Sequence, residues 1–437
     1  MTWFKLFGLL ILLEIVCVKP GLIRNQHPLD AVSITSGAYH SCVLLEPTKA
    51  LKCFGDNFSG QLGLGLDPGT RDSPTSNQVI GNEPDQLGNN LAFVKLSARV
   101  HSIIQVDAGG YHTCALLDID GTGRVKCWGS NNRIWRQLGL GNSAPTRIGR
   151  HINDMGDSLD FVNLGHTARV VQISAGYAHT CILFDDSNVK CWGWNNYGQL
   201  GSGDRQNIGD PSSSNPIDFG LGNMPLQVSA GKTHTCATLN TGSVMCWGSN
   251  DCGQVSFDHA GLHLLPVAAP LDGSRATHVS AGGSHTCVLV DNGKLKCWGD
   301  NMYGQLGCDH NHSMHEAGVD TWISFPQQEI VKQVVTGEYH TCAISSGGQV
   351  YCWGRNDEGQ LGTGDTVSRN RPTLVMIDAT VTQISVGVKH TCVLLQDKSV
   401  KCWGGNRNGQ LATGYHEGSL SPALVEAIDF GTQVSSN

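Results

Sequence analysis

Residues 389–411 read KHTCVLLQDKSVKCWGGNRNGQL, and this stretch decides the fold. Apolar and β-branched residues flank a Gln-Asp-Lys-Ser turn, the composition of a short hairpin. With the turn at Asp397, Leu394 faces Val400 and Cys392 faces Cys402. Directly opposed residues of an antiparallel pair lie roughly 4.5 to 5.5 Å apart, inside the Cα range that a disulfide tolerates. The expectation is a hairpin stapled across its own two strands.

Six relatives of this stretch lie upstream: YHSCVLLEPTKALKCFG (39–55), YHTCALLDIDGTGRVKCWG (111–129), AHTCILFDDSNVKCWG (178–193), THTCATLNTGSVMCWG (233–248), SHTCVLVDNGKLKCWG (284–299) and YHTCAISSGGQVYCWG (339–354), with 389–404 as the seventh core. Each follows a short apolar strand closing on glycine, as in VVQISAG (170–176), and precedes an asparagine and a Gly-Gln-Leu-like turn. No helical stripe separates the copies, and the first cysteines of the later copies recur every 50 to 55 residues. About fifty residues is one four-stranded propeller blade. A blade that is apolar on both faces needs neighbours, and a closed ring covers every one. The reading is all-β: a seven-bladed β-propeller over residues 30–437, closed by the N- and C-terminal strands, with the N-terminal strand completing the last blade.

The same hairpin register predicts one disulfide per blade: Cys42–Cys53, Cys114–Cys127, Cys181–Cys191, Cys236–Cys246, Cys287–Cys297, Cys342–Cys352 and Cys392–Cys402. A zinc array is disfavoured, because tetrahedral zinc needs four convergent ligands and the tight Cys-x-x-Cys knuckle is missing. Seven bridges require an oxidising compartment. The N-terminal MTWFKLFGLLILLEIVCVKPG, with a lysine at position 5 and an apolar run from Leu6, reads as a secretory signal peptide over 1–20. Of 17 cysteines, Cys17, Cys252 and Cys308 remain. The latter two form either an eighth, interblade bridge or two separate thiols. A net charge of -8 and a pI near 6.1 exclude a phosphate-binding stripe, so nucleic acid is not an expected partner. No further apolar run approaches membrane-spanning length.

The pattern strand, Gly-x-x-His-Thr, Leu-Leu, turn, Val-x-x-Trp-Gly-x-Asn-x-x-Gly-Gln-Leu-Gly resembles the regulator of chromosome condensation family over nearly everything from residue 30 onward. That resemblance implies a seven-bladed propeller and leaves the function open, because one architecture hosts many tasks. The family includes a nuclear guanine-nucleotide exchange factor, a plant ultraviolet photoreceptor, receptor ectodomains and a secreted bacterial enzyme inhibitor. The photoreceptor's Trp-Arg pair before His-Thr is absent from all seven copies here. The reading that follows is a secreted, monomeric, non-enzymatic scaffold for an extracellular protein or glycan. The alternatives are an exchange factor for a small GTPase and a secreted hydrolase with a loop-built site.

The residues that vary between copies are the informative ones for function. In the resembled fold, the pair between the glycine and the histidine rings one mouth of the channel. Here it supplies Tyr39, Tyr111, Tyr177, Lys232, Glu338, Tyr339 and Lys389 as candidate partner-binding residues. Two long insertions, 65–96 and 141–164, resemble each other and are candidate recognition loops. The repeated histidines and tryptophans suit structural hydrogen bonds and packing, since a catalytic base is needed only once. No catalytic, cofactor-binding or metal residue is assigned. His259, His263, His310, His312 and His315 cluster in loops, a spacing open to a transition-metal ion or to plain solvated side chains. Asn57 and Asn311 head glycan-acceptor triplets, and Asn311 is the better candidate because Asn57 falls on the repeated structural asparagine.

Overall fold

The computed structural model describes residues 26–434 apart from 48, 68, 70–74, 270 and 313–321. The signal peptide read over 1–20, and His315, lie outside the described residues. Seven hairpins form as the sequence arithmetic requires: in the last, His390–Leu395 pairs with Val400–Gly404, setting Leu394 against Val400 and Cys392 against Cys402. All seven intrablade disulfides are present, with Cα atoms 4.0 to 4.2 Å apart. That is the close spacing of a non-hydrogen-bonded cross-strand pair. The eighth bridge does not form; Cys252 and Cys308 are free thiols.

Each hairpin gains an inner strand, beginning with Asp30–Ser36 in the first blade and ending with Val381–Val386 in the last. Every inner strand carries an irregularity at one shared place, such as Val170/Gln172 and Val381/Gln383. An extra residue there bends the strand and increases its twist. The residue after it then reaches sideways: Gln105 exchanges two hydrogen bonds with the backbone of Ile173 in the next blade, and Gln383 does the same with Ile34. The fourth strand is Val79–Ile80, Arg147–Ile148, Leu262–Ala268 or Arg369–Val375 in four blades. In the other three it is a single bridge, at Ile208, Trp322 or Ser419.

A circle of side chains ties blade to blade. His40 Nε2 lies 2.9 Å from Thr113 Oγ1, and the pattern repeats through His112–Thr180, His179–Thr235, His234–Thr286, His285–Thr341 and His340–Thr391. Each of these threonines donates its one proton to the carbonyl of the glutamine in a Gly-Gln-Leu or equivalent turn, as Thr113 does to Gln61. The histidine must therefore donate from Nε2, which leaves Nδ1 buried without a partner in all seven copies. The six tryptophans are fully buried, and each indole donates to that same glutamine carbonyl.

The N- and C-terminal strands do pair with each other, as expected, but not as part of the last blade. The N-terminal strand does not extend the last blade; Gln26–Pro28 pairs with Thr432–Val434 as a separate ribbon. A buried lysine anchors it. Lys52 is 1% exposed and donates to the carbonyls of Phe430 and Gly88, and burial pushes its ammonium down to about 8. In the next blade Lys126 holds Leu96 and Gly156 in the same way. Gly88 and Gly156 are matching points of the two insertions, both at positive φ. The insertions are thus built into the wall, burying Leu91, Val94, Met155, Leu159 and Val162. Much of each serves packing rather than display.

Candidate functional site

The residue after each inner-strand glycine lines the channel, and the next one reaches the surrounding surface in every blade but the third, where Ala178 is buried. The throat is narrow, about 100 Å³, and is ringed by Ala38, Gly110, Tyr177, Lys232, Gly283, Glu338 and Val388 above a tier of glycines. Backbone bonds from blade to blade tighten it, for example Tyr177 N–H to Gly231 O at 3.1 Å and Lys232 N–H to Gly282 O at 3.0 Å. A Cβ on Gly176 would stand 2.5 Å from the Gly231 carbonyl, so glycine is required there.

Six of the seven candidate residues are linked in one chain of contacts, and Lys389 has a separate partner. Tyr39, Tyr111 and Tyr177 form a continuous arc over the first three blades, with ring centroids 6.1 and 5.6 Å apart. Lys232 extends the arc: its ammonium lies 5.4 Å from the Tyr177 ring and pairs with Glu338 at 2.5 Å across the fifth blade's Gly283. Tyr339 joins through a hydrogen bond to Glu338, and its ring packs on Tyr303 with the Arg355 guanidinium over both rings. Lys389 pairs with Glu358 at 2.7 Å. Burial raises the Tyr39 and Tyr111 hydroxyls above their ordinary range, and for Tyr111 a hydrogen bond with Tyr177 adds to it. Those two hydroxyls are therefore neutral at physiological pH.

Beside the arc runs a groove of about 790 Å³, lined by Tyr39, Tyr111, Phe58, Arg133, Ile134 and Arg147 among others. The Arg147 guanidinium sits 4.4 Å from the Phe58 centroid, and Ile134 is 67% exposed. Further round, Trp135, Trp194 and Tyr197 stack with centroids 5.3 and 5.1 Å apart. These aromatic residues were not singled out from sequence. Their signal was available: Trp194 directly follows a repeated Trp-Gly, Trp135 sits in the one widened turn, and Tyr197 sits at a turn position that only the fifth copy, with Tyr303, matches.

The repeated histidines are fully buried and held neutral by desolvation, His112 and His340 at about 4 and the other five at about 3. Out of reach of solvent, they fit the structural role. Asn57 is also fully buried, donating to Asn77 O and accepting from Leu62 N–H, so it is no glycan acceptor. Asn311 is exposed.

These features define a propeller scaffold with an aromatic face around a narrow throat. The chain belongs to the RCC1-like domain family, whose model matches residues 135–436; the regulator of chromosome condensation (RCC1) repeat matches 31–61 and 103–133. It is similar to the ultraviolet-B receptor UVR8 of Arabidopsis thaliana, 28% identical over 386 residues that cover 80% of this chain and 82% of the receptor. It is 27% identical over 359 residues to the human E3 ubiquitin-protein ligase HERC2, covering 82% of this chain and 7% of that protein. Among solved structures, human WBSCR16 superposes with a TM-score of 0.70 at 21% identity over 88% of this chain and 99% of that one, a likeness of fold. Among the described residues no helix is long and apolar enough to cross a membrane.

Proposed function

We propose that this protein is a secreted, non-enzymatic recognition scaffold whose aromatic face over the first three blades binds a protein partner. The carrying observation is the Tyr39–Tyr111–Tyr177 arc beside the groove of Phe58, Ile134 and Arg147. Tyrosine, tryptophan and arginine are the side chains that most often dominate interface energies, because they bury large area for little conformational entropy. Seven disulfides suit an extracellular life, and the exposed Asn311 is the glycan acceptor in this reading. UVR8 is named as an ultraviolet-B receptor, but this chain has no Trp-Arg pair before His-Thr in any of its seven copies, so the photoreceptor reading is set aside. HERC2 is named as a ligase, yet this chain spans only 7% of it.

The test is capture from the extracellular fluid of the source organism, with immobilised wild-type protein against the Tyr39→Ala/Tyr111→Ala/Tyr177→Ala variant. Loss of one protein partner from the variant supports the reading. Undiminished capture, or retention on a glycan array without any protein partner, contradicts it. So does turnover of a small-substrate panel that one carboxylate substitution abolishes.

A further inference from the structure

The fourth blade differs from its sisters at its outer edge. In the sixth blade the Asn356 amide donates to the Asp365 carbonyl, and the Asp365 side chain meets Arg369 at 2.6 Å, with Arg369 paired to Gly354 in register. In the fourth blade the corresponding Asn250 donates to the His259 carbonyl, and His263 is the residue paired with Gly248. The fold therefore brings the same two positions together in both blades. An Asp–Arg ion pair in one becomes a pair of imidazoles in the other.

Asp258 completes the group. One carboxylate oxygen lies 3.2 Å from His259 Nδ1 and the other 3.3 Å from His263 Nε2. No two of the three ligand atoms are more than 4.8 Å apart. A tetrahedral site with bonds of about 2.1 Å has ligand–ligand edges of about 3.4 Å; the two short contacts involve different carboxylate oxygens, so one set of three ligand atoms, within 4.8 Å of one another, draws together on binding the ion. The frame is ordered by its own bonds. His263 is 7% exposed within Leu262–Ala268, and Asn250 clamps the turn through Ser256 O as well as His259 O.

We propose that Asp258, His259 and His263 bind a divalent transition-metal ion of the zinc class. The carboxylate and two imidazole nitrogens supply three ligands, and water takes the remaining position. Two nitrogen donors out of three favour zinc over calcium or magnesium, which prefer all-oxygen sites. The bound ion ties the turn to the outer strand of the fourth blade, so metal binding stabilises the native ring by mass action.

The test is calorimetric titration of the chelator-treated full chain with zinc chloride, alongside its melting temperature at rising zinc. One ion per chain and a rising melting temperature are expected. Asp258→Asn and His259→Ala alter side chains that are 52% and 63% exposed, so the fold should survive. Each should weaken zinc at least about tenfold, the loss that even an outer-shell partner's removal brings, and abolish the thermal shift. Cys308→Ser, in the other histidine-bearing turn where Cys308 Sγ lies 3.2 Å from His310 Nε2, should leave the affinity unchanged. Absence of zinc uptake, uptake that survives Asp258→Asn and His259→Ala, or uptake lost with Cys308→Ser would overturn the proposal.

Discussion

His390 of the last blade lies 2.9 Å from Ser41 of the first, Nε2 to Oγ, and this contact closes the circle that six His–Thr pairs make elsewhere. A serine stands where every other copy has threonine, so the seam uses the same bond with a smaller side chain. Ser41→Ala should cost about 1 to 3 kcal/mol, because it leaves the fully buried His390 Nε2 without its partner. Ser41→Thr should be close to neutral. Equilibrium unfolding in denaturant checks both; equal effects would mean that the bond does not matter.

The seven buried histidines predict steep acid sensitivity. Their folded values, at about 3 to 4, lie below the ordinary 6.5. Below pH 6.5 the unfolded chain therefore binds protons that the native ring refuses, and stability falls from there toward pH 3. Each histidine contributes up to about 1.4 kcal/mol per pH unit inside that window. Unfolding free energies measured between pH 7 and 4 should report uptake approaching seven protons. Uptake of only one or two would contradict the buried circle.

Asp107 stands where the third, fourth, fifth and seventh blades have serine, at Ser174, Ser229, Ser280 and Ser385. It accepts from Ala175 N–H at 2.8 Å, as Ser174 Oγ accepts from Ala230 N–H at 2.9 Å. Desolvation pushes its carboxyl up to about 6, against the hydrogen bonds that pull it down. A raised carboxyl value means that ionisation destabilises the native state as pH rises from about 4 to 6. Asp107→Ser keeps the bond and removes the charge, so it should stabilise the protein at pH 7.5 by up to about 3 kcal/mol, with the gain vanishing near pH 4. Parallel denaturant titrations at the two pH values decide it; a pH-independent difference would refute the assignment.

At the closure two neighbours change together. Gly63, Gly139, Gly201, Gly307 and Gly362 each lie against the next blade's tryptophan, where a Cβ would fall 2.5 to 2.9 Å from the indole nitrogen. The last blade has Ala412 at this position, and the first blade has Phe54 in place of tryptophan. Phe54→Trp alone should destabilise by about 1 to 3 kcal/mol through overpacking, and adding Ala412→Gly should recover most of it. A double-mutant cycle with no coupling would show that the two positions are independent.

The blades and their disulfides were legible because strand alternation is local: a turn at Asp397 is enough to set Cys392 against Cys402. The ring of lysines was not. Lys52, Lys126 and Lys190 look like surface charges in sequence, and only the three-dimensional wall shows them capping buried carbonyls. The packing part of the insertions was hidden for the same reason, since a loop-like composition masked Gly88 and Gly156 as acceptors for Lys52 and Lys126, while Arg147 of the second insertion does line the groove. The channel-mouth tyrosines could be named from the repeat register. Their linkage through Lys232 and Glu338 depends on which blades stand near one another, and the Trp135–Trp194–Tyr197 cluster depends on turns of unequal length meeting in space.

Peptide mapping by mass spectrometry under non-reducing conditions, after alkylation of free thiols, tests the ring itself. The account predicts seven linked peptides, each joining the two cysteines of a single blade, with Cys252 and Cys308 alkylated. Bridges between different blades, or a Cys252–Cys308 link, would contradict it.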